Sequence, residues 1–94
     1  MKASDLILNI AVNLERLSRW SSEGNVKRVE QFLAQTQNYM KVLKGLDTSV
    51  RFRKTLVNFE DDLEKLGKTK CDSPGWAERA LTWANILTHR AKLA

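Results

Sequence analysis

The chain has 94 residues, room for one domain, 1–94, and no more. Hydrophobic residues make up 43% of it, which excludes wholesale disorder, and its single cysteine excludes an intrachain disulfide framework. The formal charge of +5 suits nucleic acid, an anionic membrane surface or an acidic protein, and equally a soluble protein held away from neutrality.

Ser4 or Asp5 is placed to cap a first helix that runs to about Ser22 and is closed by Gly24. Its apolar stripe is Ile7, Ile10, Leu14 and Leu17. The apolar run Leu6 to Val12 is broken by Asn9 and followed by Asn13 and Glu15. It is too short for a bilayer span and lacks a cleavage pattern, so no membrane association and a cytoplasmic location are expected. Asn25 caps a second helix ending near Lys44 and Gly45, with Val29, Leu33, Thr36, Met40 and Leu43 on one face and Phe32 alongside. Asp47, Thr48 or Ser49 caps a third, ending at Leu66 before Gly67, with Phe52, Leu56, Phe59, Leu63 and Leu66 inward. Ser73 and Pro74 read as N-cap and first residue of a fourth, with Trp76, Ala80, Trp83, Ala84, Leu87 and Ala91 inward.

Helices of about 19–20 residues joined by short connections predict an all-α fold, an antiparallel up-down-up-down four-helix bundle. The fourth helix has two unlike edges. Ala77, Ala80, Ala84 and Ala91 let a neighbour approach closely, while Trp76 and Trp83 fill a wider gap. Trp20 and Trp76 are expected at one end of the core.

No residue set reads as catalytic, and no cofactor or metal is expected. His89 has no His or Cys near it in sequence, and Cys71 falls at the other end of the bundle from it. Neither a phosphate-binding glycine loop nor a nucleophile elbow occurs. Glu60, Asp61, Asp62 and Glu64 cluster, but no Glu-x-x-His pair accompanies them, and the run reads as a solvated face.

Charge placement is more informative. In such a bundle one end gathers Lys2, Lys41, Lys44, Arg51, Arg53, Lys54, Arg90 and Lys92 against Asp5 and Asp47. The other half holds eight basic and nine acidic side chains. The excess is therefore a basic pole. The third helix carries its cations in its first turns, against the helix dipole, with Asp47 placed to offset Arg51. Leu8 and Val12 on the first helix, and Val50 and Val57 on the third, point away from their core stripes and read as an apolar interface open to a homodimer. These features point to a non-catalytic helical protein-interaction module: an adaptor, regulator or complex subunit. The alternative is nucleic-acid binding through the basic pole, although neither a helix-turn-helix nor a base-stacking sheet is legible.

Overall fold

The computed structural model describes residues 2–94. Its described helices are α1 (Ala3–Ser22), α2 (Val26–Lys44), α3 (Val50–Lys68) and α4 (Trp76–Arg90), followed by a 3-10 turn, Ala91–Leu93. There is no strand among the described residues, and no described helix is long and apolar enough to cross a membrane.

The helix ends follow local chemistry. After α1, the Gly24 N–H bonds Ser21 and the Asn25 N–H bonds Trp20, the paired hydrogen bonds of a Schellman ending. That ending needs a left-handed residue, and Gly24 supplies it at φ 75°. The Asn25 side chain then accepts from the Arg28 N–H and starts α2.

Other ends differ from the expectation. α1 begins at Ala3 with no side-chain cap, so Ser4 and Asp5 lie inside it. Ser49 precedes α3, but its hydroxyl donates to the Leu93 carbonyl and does not cap. α3 continues through Gly67 to Lys68, since glycine weakens a helix without preventing it. Ser73 and Pro74 do not begin α4. They form a turn closed by the Trp76 N–H on the Ser73 carbonyl, with Gly75 at φ 81°, ψ −5°. Proline second and left-handed glycine third make a type II turn, so α4 starts at Trp76 and spans 15 residues.

Facing residues run in opposite directions along successive helices. Asn13 meets Gln35, and Trp20 meets Phe32, between α1 and α2. Lys44 meets Glu60 between α2 and α3. Trp76 meets Leu66, Trp83 meets Asp62, and Arg90 meets Thr55 between α3 and α4. Ser21 donates to the Cys71 carbonyl, joining the end of α1 to the loop before α4.

The core follows the sequence stripes closely. Ile7, Ile10, Leu14 and Leu17 are fully buried, as are Phe52, Phe59 and Ala84. Each large apolar side chain among them gains about 1.5–3 kcal/mol from burial. Leu33, Leu56 and Phe32 are only half-buried, packed against the core edge. Three polar residues are buried, each with a partner. The Asn13 amide donates to Gln35 at 2.9 Å, the Thr36 hydroxyl donates to the Phe32 carbonyl, and Thr55 accepts from Arg90 at 3.1 Å.

α1 lies close to both α4 and α2, whereas α3 stands off from both of its neighbours. Side-chain size accounts for this. Ala11, Ala80 and Ala84 are buried on the close-packed helices, while the α3–α4 seam holds the Phe59 and Trp83 rings, 5.2 Å between centroids. Trp20 and Trp76 fall at one end but serve different seams. Trp20 stacks obliquely on Phe32 at 4.7 Å, and the Trp76 indole donates to the Leu66 carbonyl at 3.0 Å.

Candidate functional site

The end of the bundle that carries the cations is tied together by the last residues of the chain. The 3-10 turn packs on α1, α3 and α4, and the Ser49 hydroxyl holds the Leu93 carbonyl. The starts of α1 and α3 therefore meet the end of α4. Lys41, Lys44, Arg51, Arg53, Lys54, Arg90 and Lys92 are all exposed. Among the described residues, only Lys44 of these seven reaches a carboxylate, Glu60 at 2.7 Å. Arg90 is partly committed by its hydrogen bond to Thr55. Asp47 lies outside α3, is exposed and, among the described residues, makes no ion pair with Arg51.

The wide α2–α3 seam leaves a groove of about 810 Å³. Met40 and Leu63, both buried, line it together with Ala34 and Gln37. Lys41 and Lys44 border it on α2, and Val57, Asp61 and Glu64 on α3. Val57, read in sequence as part of an apolar interface, is thus joined to two cations of the basic end. Asp61 and Glu64 pair with Lys65 and Lys68 one turn on, at 3.3 and 3.0 Å. Asp62 is not a solvated acid: its carboxylate accepts the Trp83 indole N–H at 2.7 Å. Periodicity alone missed this, although Asp62 lies three residues from inward Phe59 and so on its flank.

The four apolar residues singled out in sequence are exposed: Leu8 41%, Val12 44%, Val50 77% and Val57 59%. They do not form one patch, because α1 and α3 make no close approach. Val26, Val42 and Leu81 are further exposed apolar residues that the sequence reading did not single out. Leu81 was legible: it stands two residues from inward Trp83, about 160° around the helix.

His89 is exposed near the end of α4, and Cys71 is half-buried in the loop before it. No group of three or more His, Cys, Asp and Glu side chains converges as metal ligands among the described residues. The guanidinium of Arg28 lies over the Trp20 ring at 5.6 Å, which fixes that edge of α2. Comparison with protein-family models, curated proteins and solved structures finds no match.

Proposed function

We propose that this protein is a non-catalytic helical interaction module whose docking face is the α2–α3 groove together with the basic end. The observation that supports this reading is their continuity. Lys41 and Lys44 border the groove on one side, and Val57 borders it on the other beside Glu60, Asp61 and Glu64, each of which is paired with a lysine, while Arg51, Arg53 and Lys54 extend the positive charge along the same helix as Val57. A groove with an apolar floor and cations along one wall suits an acidic amphipathic helix, which lays its apolar side inward and keeps its carboxylates against the lysines.

Nucleic-acid binding through the same cations is the second reading, favoured by the six of seven named cations that lack a carboxylate partner among the described residues. The two separate by salt. A labelled acidic amphipathic peptide and a DNA duplex are titrated at low and high salt, with wild-type protein and with Lys41→Glu and Arg53→Glu. Peptide binding that survives salt and is lost in Lys41→Glu supports the docking module. Duplex binding that falls steeply with log salt, weakened equally by both variants, replaces it with phosphate contact. Binding of neither overturns both.

A further inference from the structure

α1 carries a second surface, on the side facing away from the core, which does not depend on the docking reading above. Asp5, Val12 and Arg19 are spaced by seven residues. Seven residues turn the helix to within about 20° of the same direction and advance it about 10 Å, so the three form one outward line. Leu8 flanks it, and Leu8 and Val12 are 41% and 44% exposed. Leu81, 43% exposed, lies on the side of α4 away from the α3-facing Trp83. Asp5, Arg16 and Arg19 are exposed, and none of them has an ion pair or a side-chain hydrogen bond among the described residues.

This pattern is complementary to itself. Turned about a two-fold axis through Val12, α1 meets a second α1 running antiparallel. Val12 faces Val12 of the second copy, and Asp5 faces Arg19 of the second copy at both ends. A parallel pairing would set Asp5 against Asp5 and Arg19 against Arg19, so the charges select one orientation. We infer that the outer face of α1 is a homodimer surface, with two copies docked antiparallel about Val12.

Charge reversal with rescue tests this. Wild-type protein is followed by sedimentation equilibrium across concentration, beside Asp5→Arg, Arg19→Asp and the double variant. The expected result is a wild-type dimer and about tenfold or more weaker association in each single variant, where like charges now meet at both ends. In the double variant the pairs are re-formed with swapped signs and association returns. Far-UV circular dichroism verifies that each exposed substitution leaves the helices folded. In a Cys71→Ser background, Val12→Cys should form an intermolecular disulfide rapidly on oxidation, and Val57→Cys should not. A wild-type monomer at every concentration overturns the inference. So does a dimer indifferent to the single reversals, or one not restored by the double variant. A dimer cross-linked through Val57→Cys moves the interface to α3 and overturns it as well. Lys41→Glu, on the docking face, should leave the dimer intact, so failure of either reading is visible without the other.

Discussion

The α1–α4 seam and the α2–α3 seam are built from the same kinds of helix and reach opposite results. On the first, Ala11, Ala80 and Ala84 are buried and the backbones lie close. On the second, Met40 and Leu63 line the floor, while Lys44 reaches Glu60 across an open groove. A row of alanines brings two helices together because nothing projects between them. Long side chains with charged tips hold two helices apart, because the tips remain in water while only the stems pack. The tight seam is thus closed to solvent, and the other stays open as a groove.

Substitutions should affect the two seams differently. The largest effect is expected from Phe59→Ala. α3 is held less by close backbone packing than by its aromatic contact with Trp83, so removing that ring should cost about 3–5 kcal/mol by denaturant unfolding. The same change of Ala to Leu at the two seams should then part company. Ala84→Leu has no room and should cost about 1–3 kcal/mol, whereas Ala34→Leu, exposed beside the groove, should stay within about 0.5 kcal/mol. Equal costs would mean that the groove closes in solution.

Gly67→Ala should stabilise by about 0.5–1 kcal/mol, since it replaces a helical glycine. Its new Cβ would meet only the end of the flexible Gln37 side chain, at 2.9 Å, and that amide is free to swing aside. A loss of stability, read as a lower denaturant midpoint, would show that Gln37 is held and the lower groove is tight. Smallest of all, Lys44→Ala should change stability by at most about 0.5 kcal/mol, because its ion pair with Glu60 is solvated on both sides. A larger loss would make that pair the clasp of the groove.

The candidate surfaces were legible to different degrees. Exposure of Leu8, Val12, Val50 and Val57 followed from helical angle alone, because 3.6-residue periodicity fixes which direction a side chain takes. Their division into separate faces did not follow, since it depends on α1 and α3 being diagonal. Clustering of the cations required the ends of three helices to be brought together, and the Ser49–Leu93 hydrogen bond that ties two of them spans 44 residues of sequence.

The number of helices, nearly all the buried stripes, and the starts and stops set by local bonding, such as Asn25 and Gly24, were legible in the amino-acid order alone. These rest on backbone hydrogen bonds and side-chain direction within a few residues. Where a local signal had a rival, it misled: Ser73–Pro74 suits a helix start, but Gly75 two residues after Ser73 completes a type II turn and delays α4 to Trp76. That α2 and α3 stand apart, that Asp62 turns to Trp83, and that the exposed valines of α1 and α3 never meet came from the packing of the helices. Each of those depends on the distance between helix axes, which the side chains of two separate segments set jointly and neither segment encodes alone.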